Sequence, residues 1–308
     1  MVEIREIAED ELERFVSVRN TNWKHDPLTV EDFVDWRKQA EDMVWLVAVD
    51  GDAIVGSGLG IHGWHSPAGE GHVDVHVLED ARRRGIGSTL LGRLGQWLGE
   101  HGCELTTASV FTEDEVSLAW AAARGFTEIG RNSIMALDLA TTTVPAPDPP
   151  TGVEIVNWAE RPDLIRGVYD VYCEAAPDIP GEEDAVLPPF EKWLVNDMQG
   201  GGDRPEATFI AVADGEVVGY AKLSISRGGG DTAWHDVTGV LREWRGRGIA
   251  GALKRTQIAW AKASGYQRLH TMNEVRNEPI RRLNRRHGYV LEPGFVTVRG
   301  PIGPTVGS

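Results

Sequence analysis

Two short segments of the sequence combine glycine with arginine where a strand-like stretch passes into a helix-like one. ARRRGIGSTLL covers residues 81–91 and WRGRGIAGALK covers residues 244–254. A helix that begins after glycine presents several N–H groups without intrahelical partners and about half a positive charge. Glycine lets the backbone approach a ligand closely, and arginine adds forked donors. Both segments are therefore predicted to cradle a diphosphate group.

The two segments belong to an internal repeat in which Arg82 aligns with Arg245, 163 positions later. LVAVDGDAIVG at 46–56 aligns with FIAVADGEVVG at 209–219 at the same offset. Other landmarks keep this offset: Gly56 and Gly219, Trp97 and Trp260, Gly102 and Gly265, Gly125 and Gly288, Phe126 and Tyr289. One register over such a length indicates a duplicated domain.

The proline-rich stretch TTTVPAPDPPTG at 141–152 separates the copies, because proline fits neither a helix interior nor a central strand. The sequence therefore predicts an amino-terminal domain at 1–140, a linker at 141–152 and a carboxy-terminal domain at 153–308.

Each copy predicts the same mixed α/β fold. The strongest local signal is the Asp214-Gly215 turn between two alternating apolar stretches, which is typical of a β-hairpin. After the hairpin, each copy predicts strand, helix, strand, helix and strand, with the helices expected at 85–101 and 114–124 in the first copy and at 248–265 and 278–288 in the second.

Composition narrows the class of protein. The chain has 308 residues, 41% hydrophobic and 25% charged, with a formal charge of −16. This is typical of a soluble globular protein, and the charge disfavours nucleic acid and anionic membrane as partners. Two cysteines and a polar, acidic start without signal-peptide features favour a cytoplasmic location. Whether the protein is a monomer or a homodimer stays open.

Two familiar phosphate-binding patterns fit poorly. Neither segment has the G-x-x-x-x-G-K-[ST] of a Walker loop. Gly246, Gly248 and Gly251 do match a bare G-x-G-x-x-G. However, antiparallel hairpins precede them, whereas a dinucleotide-binding unit would begin with a βαβ unit. A nucleotide-dependent oxidoreductase is therefore disfavoured.

The pattern R-x-x-G-x-[GA], at Arg82 to Gly87 and at Arg245 to Ala250, resembles the acyl-CoA-binding motif of the GNAT superfamily of N-acetyltransferases. The order of elements is also similar to that fold, once in each half, as in tandem members of the superfamily. The resemblance implies acetyl-CoA, or another short acyl-CoA, as cofactor. It assigns cofactor binding in the second half to Val240, Leu241, Arg242, Arg245, Gly246, Arg247, Gly248, Ile249, Ala250, Gly251, Asn273, Asn277 and Asn284. In the first half it assigns Val77, Leu78, Arg82, Arg83, Arg84, Gly85, Ile86, Gly87 and Ser88.

The implied reaction has two physical requirements. An alkylamine is only about one part in a thousand neutral at pH 7, so a base or a desolvating pocket is needed. The thioester oxygen gains charge, so a backbone N–H should lie beside it. The resemblance places this donor at Val240 or Leu241, and at Val77 or Leu78 in the first half.

The strand WHDVTGV offers Asp236 as the preferred base, directly or through a water, and His235 as the second choice. Without a bulge, Asp236 would share a strand face with Thr238. In the first half His72, Asp74 and His76 alternate on one face, which could suit a metal but is better explained as a cleft-lining face. No metal site is predicted.

The sequence departs from the family where a tyrosine usually protonates the leaving thiolate, since Asn284 and Ala121 stand there. The second half keeps the asparagine series, so catalysis is expected there, with cofactor binding or a structural role in the first. The acidic stretch EAAPDIPGEED at 174–184 could receive a cationic amine or could simply face solvent.

The predicted function is acetyl-CoA-dependent acetylation of a primary amine on a small molecule. Two alternatives stay open: a non-catalytic acyl-CoA-binding or sensing protein, and a protein-lysine or amino-terminal acetyltransferase.

Overall fold

The periodicities of the sequence correspond to strands and helices in the order predicted for each copy. The structure is a computed structural model that describes residues 2–23, 27–39, 42–63, 67–144, 146–180, 187–225 and 230–303. The strands within these residues are β1 (Glu3–Glu6), β2 (Asp42–Asp50), β3 (Ala53–His62), β4 (Glu70–Val77), β5 (Leu105–Phe111), β6 (Thr127–Asp138), β7 (Val153–Asn157), β8 (Asp203–Ala213), β9 (Glu216–Ser224), β10 (Thr232–Val240), β11 (Arg268–Glu274) and β12 (Val290–Pro301).

The α-helices in the same residues are α1 (Leu12–Asn22), α2 (Val30–Gln39), α3 (Ile86–Glu100), α4 (Glu115–Ala122), α5 (Ile165–Ala175), α6 (Phe190–Trp193), α7 (Ile249–Ala263) and α8 (Glu278–Arg286). A short π-helix, Leu194–Met198, continues directly from α6. The mixed α/β class predicted from the sequence is confirmed. None of the helices in the described part of the chain is long and apolar enough to cross a membrane.

The chain forms two compact units that are not continuous in the sequence. The first unit contains Met1–Arg131 and Phe295–Ser308, and the second contains Asn132–Gly294. In the first unit, Phe295–Pro301 of β12 pairs antiparallel with β5. In the second, Asn132–Asp138 of β6 pairs antiparallel with β11. The predicted ranges 1–140 and 153–308 thus follow the repeat along the chain, whereas in space each copy gives its last strand to the other unit.

Both units share one arrangement of strands. The strands of the first unit follow the order β1, β2, β3, β4, β5, β12, and those of the second follow β7, β8, β9, β10, β11, β6. In each unit one pair is parallel, β4 with β5 and β10 with β11. Leu90, Leu94 and Leu98 on α3 are fully buried, as are Ala252, Leu253 and Ala261 on α7. Each helix thereby buries an apolar face, which is the expected source of its stability.

The 163-residue repeat is preserved at the level of single hydrogen bonds. Helices α3 and α7 begin and end at equivalent positions. Arg82 Nε donates to Val77 O at 3.1 Å, and Arg245 Nε donates to Val240 O at 2.9 Å. Because the second contact copies the first at the same offset, the two arginines have the same structural task of fixing the end of the preceding strand.

The linker is held against the second unit. Arg255 on α7 donates to the carbonyl oxygens of Pro147 and Asp148 at 2.9 and 3.0 Å. Lys262, two turns later, donates to Thr142 O at 2.7 Å. The predicted linker therefore lies along α7 in the residues that the structure describes.

Two glycines on α3 test the placement of the carboxy-terminal segment. A Cβ at Gly95 would lie 2.1 Å from the carbonyl oxygen of Ile302, whereas one at Gly92 would meet nothing within 4 Å. We expect Gly95→Ala to lower the free energy of unfolding by about 1–3 kcal/mol through overpacking. Gly92→Ala should raise it by about 0.5–1 kcal/mol. Urea unfolding of both variants checks this, and equal effects at the two positions would contradict the packing of Ile302 on α3.

Candidate functional site

In each unit the two parallel strands are paired for only part of their length. Residues 232–235 of β10 pair with residues 268–271 of β11, although β10 runs on to Val240 and β11 to Glu274. In the first unit, pairing joins residues 70–72 of β4 to residues 105–107 of β5 and stops in the same way. The unpaired strand ends form what we call the slot of each unit. Backbone groups along a slot can bond an extended, amide-bearing ligand as an added strand would.

One backbone donor at the end of β10 points into the slot. Leu241 N donates to Val218 O on β9 at 3.0 Å, so this N–H is already used. Hydrogen-bonding direction alternates along a strand, so the N–H of Val240 points away from β9 and toward β11. Leu78 N likewise donates to Val55 O at 2.9 Å, which leaves Val77 as the equivalent donor. The geometry favours Val240 and Val77 over Leu241 and Leu78.

A glycine-opened helix start follows each strand. We call residues 82–88 the first cradle and residues 245–251 the second cradle. Gly248, the residue before α7, has φ +92°, and Gly85, the residue before α3, has φ +82°. A Cβ at Gly246 or Gly85 would meet nothing within 4 Å. Each cradle thus offers open space in front of free helix N–H groups, which fits the diphosphate of an acyl-CoA.

The apolar members of the cradles anchor the helix starts. Ile249 and Ile86 are buried in the core. Ala250 and Gly251, with Gly87 and Ser88 in the first unit, lie in the first turn of each helix, where N–H groups lack intrahelical partners. Their backbones therefore face the space that a diphosphate would occupy.

Two arginines of the second cradle, and Arg242 just before it, already have partners. Asp178 pairs with Arg245 at 2.7 Å and with Arg242 at 2.8 Å. These hydrogen bonds lower the pKa of Asp178 to about 2. Arg247 stacks over Trp244, with its guanidinium carbon 4.4 Å from the ring centroid. The sequence predicts that these side chains reach toward phosphate. In the contacts described, the exposed Arg247 is the one of the three that makes no ion pair with a carboxylate.

The first cradle has different partners. Arg82 donates to Asn22 Oδ1 at 2.8 Å, and Arg84 pairs with Asp50 at 2.8 Å. Arg83 adopts φ +60°, a conformation that is uncommon outside glycine. On α3, Ser88 accepts a hydrogen bond at 2.7 Å from Arg124, a residue that the sequence analysis did not single out.

Asp236 lies at an irregularity in β10. The register between β9 and β10 shifts between His235 and Thr238, whereas β4 pairs with β3 without a shift. Asp236 and Thr238 were expected to share a face only in a strand without a bulge, and that condition is not met, because a bulge adds a residue between paired positions. The side chain of Asp236 is 40% exposed, so solvent or a substrate can reach it.

A buried lysine holds Asp236 in place. Lys222 Nζ pairs with Asp236 Oδ2 at 2.8 Å and with Asp203 Oδ1 at 2.7 Å. Burial alone would lower the pKa of Lys222, but the two carboxylates outweigh it and raise the pKa above its usual value. Sequence analysis missed Lys222 because its place in an apolar strand gives no sign of its partners.

His235 lies in the core and not in the slot. Its Nδ1 is 3.0 Å from Gln257 Oε1, and its Nε2 is hydrogen-bonded to the Tyr289 hydroxyl. Burial lowers the pKa of His235 well below its usual value. These contacts are at odds with His235 as the base, because both ring nitrogens are occupied by buried side chains.

The asparagine series does not converge on one point. Asn284 is fully buried and donates to Asn273 Oδ1 at 2.8 Å. This burial is at odds with contact between Asn284 and a cofactor. Asn277, the residue before α8, and Asn273 are half-buried and remain candidates.

The alternating face of β4 forms a charged cluster. His72 lies 3.5 Å from Asp74 and 3.0 Å from the Thr107 hydroxyl on β5, where the two strands are still paired. Burial lowers the pKa of His76 to about 4. Among the described residues, no three His, Cys, Asp or Glu side chains are grouped so that they could hold a metal ion.

The acidic stretch 174–184 is only partly described, since residues 181–184 lie outside the described ranges. Of its described acids, Glu174 accepts a hydrogen bond from the backbone N–H of Arg242, and Asp178 binds the two arginines named above. These two carboxylates contact arginines at the start of the second cradle, whereas the sequence left open whether the stretch receives a cationic amine or faces solvent.

A slot between parallel strands that leads to a glycine-opened helix start offers a place for an extended, diphosphate-bearing carrier such as an acyl-CoA. Residues 2–126 and 165–289 each match the acetyltransferase (GNAT) family, and the chain belongs to this family. Its predicted resemblance to tandem members is confirmed. As a family member, it is an acetyltransferase of the acyl-CoA-dependent kind.

Similar solved structures agree on the fold. A tandem GNAT protein from the clavulanic acid biosynthesis pathway has a TM-score of 0.80 at 22% identity, covering 99% of this chain and 100% of its own. A GCN5-related N-acetyltransferase from Sphaerobacter thermophilus has a TM-score of 0.77 at 21% identity, covering 100% and 98%. No curated protein sequence matches the chain.

The cradles can be tested one at a time by binding. We expect wild-type protein to bind two molecules of coenzyme A, and Gly85→Glu and Gly248→Glu each to weaken one site by roughly tenfold or more, since a carboxylate would enter the open space. Calorimetric titration measures both stoichiometry and affinity. Gly85→Ala and Gly248→Ala are the controls for backbone strain. Unchanged binding in both glutamate variants would contradict the cradle assignment.

A buried amine provides a test by pH. Lys254 on α7 is 1% exposed, and burial lowers its pKa to about 7. In the unfolded chain this lysine has a pKa of about 10.4, so between about pH 7 and pH 10 the unfolded chain binds more protons than the folded chain does. This group therefore makes the free energy of unfolding rise with pH in that window. We expect Lys254→Leu, which copies Leu91 of the first unit, to stabilise the protein most at pH 7 and progressively less toward pH 10. Urea unfolding across this range measures the difference, and a constant difference would contradict the low pKa.

Proposed function

We propose that the protein transfers an acetyl group from acetyl-CoA to a primary amine of a small molecule, and that the second unit carries out the reaction. The observation that supports it most directly is the slot beside the bulge in β10, with the Val240 N–H at its end and the second cradle beyond. This arrangement offers consecutive places for a thioester, an extended arm and a diphosphate.

The bound carrier would supply an activated acetyl group as a thioester. The Val240 N–H would donate a hydrogen bond to the thioester oxygen, where negative charge would develop as the amine attacks and coenzyme A leaves as its thiolate; such donors contribute most when they are held in position beforehand. Arg245 contributes by holding the Val240 carbonyl oxygen at 2.9 Å. The free N–H groups of Ile249 and Ala250 bind the diphosphate.

Asp236 is the proposed base. It accepts a proton from the attacking amine, directly or through a water, because the protonated amine has no lone pair to attack with. Lys222, which is buried, keeps the Asp236 side chain in one orientation from 2.8 Å. A positioned carboxylate that is also 40% exposed can meet an acceptor entering from solvent.

Comparison of the units supports catalysis in the second one. The shift in register that presents Asp236 occurs in β10, whereas the register of β4 with β3 is regular. In the first unit, Trp23 packs against Phe111 in a tilted arrangement with ring centroids 4.3 Å apart, and Phe111 lies at the end of β5. We propose that the first unit binds acyl-CoA without turnover.

A non-catalytic acyl-CoA-binding protein is the second candidate, since Asn284 stands where the family usually has a tyrosine and is buried. A non-catalytic protein of this kind would bind coenzyme A tightly but would release no thiol from acetyl-CoA with any amine. A protein-lysine or amino-terminal acetyltransferase would instead prefer peptides over small amines.

Release of free thiol from acetyl-CoA, measured across small amines and peptides, separates these candidates. We expect turnover with at least one small amine and a fall in kcat of roughly 10²–10⁴-fold in Asp236→Asn, with little change in the affinity for acetyl-CoA. Gly85→Glu, in the first unit, should leave kcat unchanged. Loss of turnover in Gly85→Glu with full turnover in Asp236→Asn would contradict the assignment to the second unit.

A further inference from the structure

Two carboxylates from the end of α5 contact the approach to the second cradle. Glu174 accepts a hydrogen bond from the backbone N–H of Arg242. Asp178, in the turn that follows α5, accepts from Arg242 Nη2 at 2.8 Å through Oδ1 and pairs with Arg245 Nη1 at 2.7 Å through Oδ2. The guanidinium groups of Arg242 and Arg245 are thus engaged by acids of the same chain.

The equivalent arginine of the first unit meets a neutral partner. Arg82 makes the same backbone contact as Arg245, but its terminal nitrogen donates to the amide oxygen of Asn22 at 2.8 Å. A carboxylate of the first unit, Asp50, pairs instead with Arg84, one residue before Gly85. The two cradles therefore differ in the charge next to the first arginine of the motif.

The engaged donors lie where a carrier would bind. Arg242 follows Val240, the proposed thioester donor, by two residues, and Arg245 opens the second cradle. A ligand that runs from Val240 to the free N–H groups of α7 passes both. A carboxylate beside an approaching diphosphate repels it, and a carboxylate on a backbone N–H must be displaced before a ligand carbonyl can use that donor.

We infer that Glu174 and Asp178 determine the affinity of the second cradle by competing with the acyl carrier for Arg242 and Arg245. The carrier displaces the two carboxylates from these donors when it binds. Because Glu174 lies in the last turn of α5 and Asp178 in the turn that follows it, this displacement links occupation of the cradle to the position of the end of α5. The inference rests on the proposed function only in that the second cradle binds acyl-CoA.

Removing one acid should have a moderate, salt-dependent effect. Asp178 and its partners are partly exposed, so water screens the charges strongly. We expect Asp178→Asn or Glu174→Gln to tighten binding of coenzyme A at the second cradle by roughly threefold to tenfold at low salt. The gain should shrink toward none at about 0.5 M salt, where the Debye length is only a few ångströms.

The experiment is calorimetric titration of the full-length chain with coenzyme A in a Gly85→Glu background, so that the heat reports the second cradle. The matched control is Asp163→Asn, which removes the same charge from an exposed pair with Arg161 in the same unit. Tighter binding in Asp178→Asn but not in Asp163→Asn, with a gain that salt abolishes, supports competition. Equal affinities in the two variants, or a gain that persists at high salt, overturn it.

A reciprocal exchange in the first unit strengthens the test. Asn22→Asp in a Gly248→Glu background places an acid on Arg82 and should weaken the first cradle by a similar factor. Unchanged affinity there overturns the inference. If coenzyme A binds in neither the Gly85→Glu nor the Gly248→Glu background, both the proposed function and this inference are overturned. If it binds with an affinity that none of Asp178→Asn, Glu174→Gln and Asn22→Asp changes, only the inference is overturned.

Discussion

The parting of two parallel strands is the constraint on which the candidate site depends. Strands that stayed paired would bond their backbone groups to each other, whereas β10 and β11 stop pairing after His235 and Thr271 and leave the Val240 N–H directed into the slot. Three neighbouring features position the groups around the slot. The bulge in β10 presents Asp236, Arg245 fixes the carbonyl group of Val240, and Gly248 turns the chain so that α7 begins beside the slot.

Much of this could be predicted from one sequence because the signals are local or repeated. The Asp214-Gly215 hairpin, the helices after Gly85 and Gly248 and the offset of 163 residues follow from turn chemistry and periodicity. The partners of Asp236 could not be predicted, since Lys222 and Asp203 are distant in sequence and meet it only through sheet register. The bulge was also missed, because it depends on how β9 and β10 pair and not on a residue type.

The two copies also differ at buried positions. In the second unit, Gln257, Lys254 and Tyr289 surround His235 with polar groups, at positions where the first unit has Leu94, Leu91 and Phe126. A polar core is costly unless its members are hydrogen-bonded to one another, so this network restricts how the second unit can repack. The apolar period of α7 predicted its buried face, but not that Lys254 and Gln257 would be buried beside the apolar side chains.

The exchange of last strands between the copies has an evolutionary consequence. Loss of one copy would remove a strand from the unit that remains, because residues 295–301 pair with β5 and residues 132–138 pair with β11. A shortened gene encoding one half would expose a long unpaired strand edge, which invites aggregation. Selection therefore acts on the duplication as an indivisible whole, and a copy relieved of catalysis would still be retained for the strand it lends.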